Sequence, residues 1–149
     1  MIAVSLRAAR PGDYEPISAV ADDWWGRPIL GALPRLFLDH FHRTSLVAER
    51  DDIMVGFLIG FCSPSEPDEA YIHFLGVAPA DRRQGLARQL YEAFFSLARA
   101  DRRTVVSAVT SPVNAGSIAF HRRMGFTVTD PATARGAQSD GLVRFRRSL

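Results

Sequence analysis

Apolar residues recur along this chain with two different periods, and the alternation between them marks out its elements. Ile17, Val20, Ala21 and Trp24 fall at helical spacing and predict a helix over 14–24, with Asp13 placed to cap it just after Pro11 and Gly12. A second helix is expected over 31–42, carrying Leu33, Leu36, Phe37 and Phe41. Leu86, Leu90, Phe94 and Leu97 form one apolar stripe, which predicts a helix over 85–99, and a last helix is expected over Ala115–Arg123. Between these lie short runs rich in β-branched and aromatic residues: Val4–Ala8, Ser45–Arg50, Ile53–Cys62, Ala70–Val77, Thr104–Val109, Phe126–Thr129 and Leu142–Arg146. The tight turn at Asp51-Asp52 makes a hairpin of the second and third runs. The order β-α-α-β-β-β-α-β-α-β-β predicts an α/β fold, one twisted sheet with helices on its faces.

Composition narrows the class without choosing a function. A chain of 149 residues suits a single domain over 1–149, and 47% hydrophobic with 23% charged residues is ordinary for a globular protein. No apolar run reaches the roughly 18 residues of a membrane span, and the N-terminus lacks the order of a signal peptide. The expectation is a cytoplasmic protein with no membrane partner. Net charge is only +2, every basic residue is arginine, and the arginine pairs are scattered, which is no nucleic-acid footprint. Cys62 is the only cysteine and no Cys/His cluster has metal-ligand spacing, so neither a disulfide nor a metal site is expected.

The most informative stretch runs from Leu75 to Ala87 (LGVAPADRRQGLA), where a buried strand ends, a short polar turn follows and a helix starts at a glycine. The first N–H groups of a helix lack internal partners and lie at its positive dipole end, so they bind phosphate when no side chain blocks the approach. Gly85 and Ala87 keep that approach open, and Arg82 and Arg83 add positive charge. The nucleotide P-loop and the dinucleotide glycine fingerprint are both missing from the chain. On physics alone, an anion site and a plain strand-to-helix connection are equally good readings.

Arg82-x-x-Gly85-x-Ala87 resembles the signature of the GNAT superfamily of N-acetyltransferases, in its usual place after Leu75-x-Val77 and Pro79. A second motif of that family matches downstream, from Asn114 through Ser117, Ile118, Phe120 and His121 to Gly125 and Phe126. The resemblance implies a mixed, mostly antiparallel sheet of six to seven strands with splayed central strands, flanked by about four helices. It implies acetyl-CoA as co-substrate, its pyrophosphate on the backbone of Arg83, Gln84, Gly85, Leu86, Ala87 and Arg88, with Arg82 beside it. The pantetheine arm would pair with the strand at Leu75, Gly76 and Val77, where Gly76 is the expected place for a bulge. Asn114, Ser117 and Phe120 would touch the cofactor from the second motif, and Asn114 also suits a helix N-cap. A homodimer is a further expectation from relatives.

Direct transfer needs a base for the amine and a proton for the leaving thiolate, with no covalent enzyme intermediate. Strand alternation puts Tyr71, His73, Leu75 and Val77 on one face. Tyr71-x-His73-x-Leu75-x-Val77 is similar to the His-x-His-x-Leu-x-Val of arylalkylamine acetyltransferases, so His73 matches a base position; a histidine packed in the sheet is the alternative. His121 stands where many relatives carry the tyrosine that protonates the thiolate, which leaves it as acid, as a hydrogen-bonding neighbour of the sulfur, or as neither. Asp23, Trp24 and Trp25 fall in the region that forms the acceptor wall in such proteins, where a cation could bind by charge and indole face. The alternative is a tryptophan in the core beside solvated aspartates. The acidic loop Ser63–Glu69 reads either as a lid or as a surface turn. A small-molecule amine is the expected acceptor; a protein lysine or N-terminus, an aminoacyl-tRNA, or a non-catalytic acyl-CoA module are the competing readings.

Overall fold

Seven strands and four α-helices follow one another along the chain in the computed structural model, which describes residues 3–131 and 140–149. They are β1 (Ser5–Ala8), α1 (Tyr14–Trp25), α2 (Leu36–Phe41), β2 (Leu46–Arg50), β3 (Ile53–Cys62) and β4 (Glu69–Val77), then α3 (Leu86–Ala100), β5 (Val105–Thr110), α4 (Ala115–Arg123), β6 (Thr127–Thr129) and β7 (Val143–Ser148). The sheet order is β1-β2-β3-β4-β5-β7-β6. β1 with β2, β2 with β3, β5 with β7 and β6 with β7 are antiparallel, while β4 and β5 run parallel from Glu69↔Val105 to Tyr71↔Ser107. The expected mixed, mostly antiparallel α/β sheet is therefore present. The chain divides into two compact units, Met1–Phe61 with Ile72–Leu97, and Cys62–Tyr71 with Ala98–Leu149.

In the first unit, Ala9, Ile17, Leu33, Leu38, Val47, Phe57 and Ile59 form a buried cluster, with Trp24, Phe37 and Phe74 packed against it. The β2–β3 turn is made by Asp51 and Asp52, both left-handed (φ 53° and 62°), the conformation whose twist matches a two-residue hairpin. Leu86 and Leu90 of α3 lie against β3 where Gly56 has no side chain; a Cβ there would sit 3.2 Å from Leu86 Cδ2. The helix expected over 31–42 is instead a 3₁₀ turn at Leu30–Ala32, then α2, then a second 3₁₀ turn at His42–Thr44. Pro34 interrupts it, having no N–H to give and a ring that clashes with the preceding turn. Leu36 consequently faces solvent and Leu38 takes the buried position. Asp13 makes no side-chain cap to α1; its carboxylate accepts two 2.9 Å bonds from Arg7 and one from the Arg10 N–H.

The second unit is closed by helix caps and one arginine. Asn114 Oδ1 accepts from the Ser117 N–H at 3.2 Å, so Asn114 is the N-cap of α4. At the other end Gly125 is left-handed (φ 86°), with its N–H donating to Arg122 O and that of Phe126 to His121 O, a Schellman ending. Arg103 Nη1 donates to the carbonyls of Ser63, Glu66 and Glu69 at 2.8, 3.1 and 3.3 Å, which ties the loop Ser63–Glu69 down as a surface turn.

Candidate functional site

The stretch ahead of α3 has the open form an anion site requires. After Val77 the chain makes a 3₁₀ turn over Pro79–Asp81 and then exposes four consecutive residues, Arg82, Arg83, Gln84 and Gly85, before Leu86 turns inward. Arg83 and Gly85 are both left-handed (φ 64° and 79°). Gly85 is required by its backbone and not by space, since a Cβ there would meet nothing within 4 Å. The Gln89 N–H donates to Gly85 O at 3.0 Å, so helical bonding begins at the glycine and the N–H groups before Gln89 have no partner of that ladder. Arg88 is exposed and stands 3.7 Å from Glu92.

Along β4, Leu75 and Val77 present their carbonyls to the same side, as residues two apart on a strand do. The Trp25 indole Nε1–H donates to Leu75 O at 3.0 Å, and Arg82 Nε donates to Val77 O at 3.2 Å. Arg82 Nη2 also donates to the Trp24 carbonyl. The Arg82 guanidinium thus joins the turn to β4 and the end of α1. Gly76 has a spatial reason: a Cβ there would lie 2.3 Å from Phe57 Cε1, so the phenyl ring packs directly on this strand. The register shift in the pairings of the first two hairpin strands lies between Ala48 and Glu49.

His73 stacks on Phe37 with ring centroids 4.1 Å apart and meets Phe74 edge-on. Its Nε2 is 2.6 Å from the Ala32 carbonyl, which only accepts, so Nε2 carries the proton and the ring's proton-accepting atom is Nδ1. Burial lowers the His73 pKa, the bond to Ala32 opposing it, and the ring is neutral near pH 7. Trp24 stacks on Phe57 at 6.0 Å, Arg27 stands 5.7 Å over the Trp25 ring, and Asp23 is exposed. One indole therefore packs on the core cluster and the other already faces a cation of this chain.

In the second unit, His121 is 5% exposed and lies 3.8 Å from the Phe145 ring, nearly parallel to it, with Phe120 and Phe126 edge-on. Its Nδ1–H donates to Ser117 O at 2.7 Å. Burial pulls its pKa down to about 4. Tyr71 is half-buried and its pKa is raised, first by burial, so it is a neutral phenol. The Cys62 thiol is also pushed up, by burial and by Asp101, which disfavours a reactive thiolate. Asn114 Nδ2 donates to Thr110 Oγ1 at 3.3 Å in addition to its capping bond.

Two residues that the sequence did not single out border the turn. Asp81, 5% exposed, is bonded by Arg50 Nη1 from the end of β2. The only hint in the sequence is an acid placed directly before a basic turn.

A mixed seven-stranded sheet with an exposed strand–turn–helix connection ahead of α3 defines the class, an α/β protein. The chain belongs to the Acetyltransferase (GNAT) family, which it matches over residues 8–126. It is 31% identical over 134 residues to an L-2,4-diaminobutyric acid acetyltransferase of Nocardia farcinica, covering 89% of this chain and 66% of that one. An L-2,4-diaminobutyric acid acetyltransferase of Shouchella clausii is 29% identical over 89 residues, 60% of this chain and 50% of that one. The chain thus spans about half to two thirds of the length of these relatives. Ard1 from Thermoplasma volcanium superposes with a TM-score of 0.81 at 25% identity, covering 99% of both chains. Diaminobutyrate acetyltransferase EctA from Paenibacillus lautus, solved with L-2,4-diaminobutyric acid and coenzyme A, shares the fold with a TM-score of 0.72 at 21% identity, covering 98% of this chain and 95% of that one. No helix among the described residues is long and apolar enough to cross a membrane.

Proposed function

We propose that the protein moves an acetyl group from acetyl-CoA to the amine of a small molecule, with residues 1–149 acting as one catalytic domain. The family match at 8–126 runs through both compact units and supports that single domain. The observation that carries the reading is the exposed turn at Arg82–Gly85, left-handed at Arg83 and Gly85, opening directly onto α3. Its residues fit a pyrophosphate: backbone donors at a helix N-terminus, no Cβ at Gly85, and nothing beyond its chain neighbours within 4 Å of where one would be. The N–H groups from Arg83 to Arg88 would hold the diphosphate. The Leu75–Val77 edge would take the pantetheine amides, for which Trp25 and Arg82 must release the Leu75 and Val77 carbonyls. A cytoplasmic setting, cofactor contacts from the second motif, and a homodimer belong to the same proposal, carried by the sequence and the resemblance alone.

Bound acetyl-CoA supplies an activated acetyl group, the new N–C bond forming as the C–S bond breaks. His73 is the base: a neutral ring near pH 7 can take the amine proton on Nδ1, directly or through water. Tyr71 acts as a neutral phenol, a hydrogen-bond donor and not a second base. His121 is assigned to packing, because an imidazole with a pKa of about 4 is not a populated acid at neutral pH. The thiolate then takes its proton from water. Asp23, exposed at the end of α1, is the acceptor-wall residue offered to an ammonium group.

The first acceptor to test is L-2,4-diaminobutyrate, the substrate named for both matching relatives. Coenzyme A release should appear with it or with another small diamine, fall by about 10²-fold or more in His73→Ala, and survive in His121→Phe. Turnover on lysine peptides alone would replace the small-molecule acceptor with a protein. Silence on every amine, with acetyl-CoA still raising the melting temperature, would leave a binding module.

A further inference from the structure

The connection that feeds the turn is held at two points by the β2–β3 hairpin. The Ala78 N–H donates to Val55 O at 2.9 Å, and the Asp81 N–H donates back to Ala78 O at 2.8 Å, which closes the 3₁₀ turn. At the end of that turn the Asp81 carboxylate is buried and bonded by the Arg50 guanidinium. Arg50 is the last residue of β2, in register with Ile53 across the left-handed Asp51-Asp52 turn, so its position is set by a tight hairpin and not by a mobile loop.

A carboxylate is a poor choice for this place on general grounds. It stands one residue before a turn that must attract an anion, and burying it costs desolvation energy that an apolar side chain would avoid. What the ion pair supplies that an apolar contact does not is direction. A charge-assisted bond fixes the angle and distance of its partners, and Arg50 at the same time neutralises the acid's repulsion of a phosphate. Immediately beyond Asp81 the chain becomes exposed for four residues and takes up its two left-handed conformations. The pair is the last anchor before the donors.

We propose that Arg50 and Asp81 are positioning residues for acyl-CoA: the hairpin holds the turn through them with its N–H groups already aimed at the pyrophosphate. The proposal rests on the reading that this turn binds coenzyme A. Preorganised donors bind without an ordering penalty at the moment of binding, so loosening them weakens the ligands that use them and no others.

The test compares two donors, acetyl-CoA and acetyl-pantetheine, the second having no pyrophosphate. Asp81→Asn and Arg50→Gln should raise the KM and Kd for acetyl-CoA by about 10-fold or more. They should leave kcat at saturation and the KM for acetyl-pantetheine unchanged, and Arg50→Lys should recover part of the loss. Unchanged acetyl-CoA affinity in folded variants would overturn the proposal, as would an equal rise in KM for both donors, which is the mark of general damage. If Asp81→Asn fails to fold, Arg50→Lys and Arg50→Gln carry the same comparison. Failure of the underlying reading has its own signature: wild type would show no acetyl-CoA binding by calorimetry.

Discussion

At the scale of single residues, His121 has an environment that ties its charge to stability. Its ordinary value of 6.5 falls to about 4 in the fold, because a charged ring loses its hydration among Phe120, Phe126 and Phe145. The unfolded chain binds a proton near 6.5 and the folded chain does not, so this contribution is complete above that pH and fades as the pH falls toward 4. Between about pH 7.5 and about pH 4.5 the loss amounts to about 2–3 kcal/mol. Urea unfolding at the two pH values should show that loss in wild type and a flatter response in His121→Phe. Equal responses would mean that the ring is not buried neutral. His73 differs in its setting: a carbonyl fixes its tautomer and one stacked ring its orientation, which leaves Nδ1 as the ring's proton-accepting atom.

At the scale of elements, two glycines set how closely β3, β4 and α3 approach. Gly56 admits Leu86 and Leu90 of α3, and Gly76 admits the Phe57 ring. Leu86 opens the helix whose N-terminus is proposed to meet the phosphate, and its contact with Gly56 fixes how closely that end of α3 approaches β3. A methyl at Gly76 would fall 2.3 Å from Phe57 Cε1, so Gly76→Ala should destabilise the fold by about 1–3 kcal/mol, with partial recovery in Gly76→Ala/Phe57→Leu. Gly116→Ala in α4, where a Cβ meets nothing within 4 Å, should instead be neutral or stabilising by up to about 1 kcal/mol. Denaturant melts of the three variants check both. If Gly76→Ala is as harmless as Gly116→Ala, the close approach of Phe57 is not a constraint.

At the scale of the whole molecule, a net charge of +2 conceals strong local charge. Arg7, Arg50, Arg103 and Arg146 each meet a carboxylate of this chain, so part of that positive charge is paired within the fold. A ligand that binds only the folded state adds its binding energy to folding. Acetyl-CoA at 100 times its Kd should therefore stabilise the protein by about 2.7 kcal/mol in an unfolding titration, and absence of any shift would remove the cofactor from the proposed function.

The sequence by itself determined the order of elements, the β2–β3 hairpin, the N-cap of α4 and the turn before α3. These are local: each depends on residues a few positions apart, whose periodicity, turn chemistry and backbone freedom are written in the same stretch. It overextended the 31–42 helix, which is α-helical only over Leu36–Phe41 because Pro34 outweighed an apolar pattern. Only the tertiary structure decided that Trp25 reaches Leu75, 50 residues away, and that Arg50 reaches Asp81, 31 residues away. Likewise only the fold turned Gly76 into a seat for Phe57 and closed an aromatic box around His121. Such contacts join segments that carry no mark of each other, and they form because packing brings distant strands and helices together and each buried polar group must then find a partner.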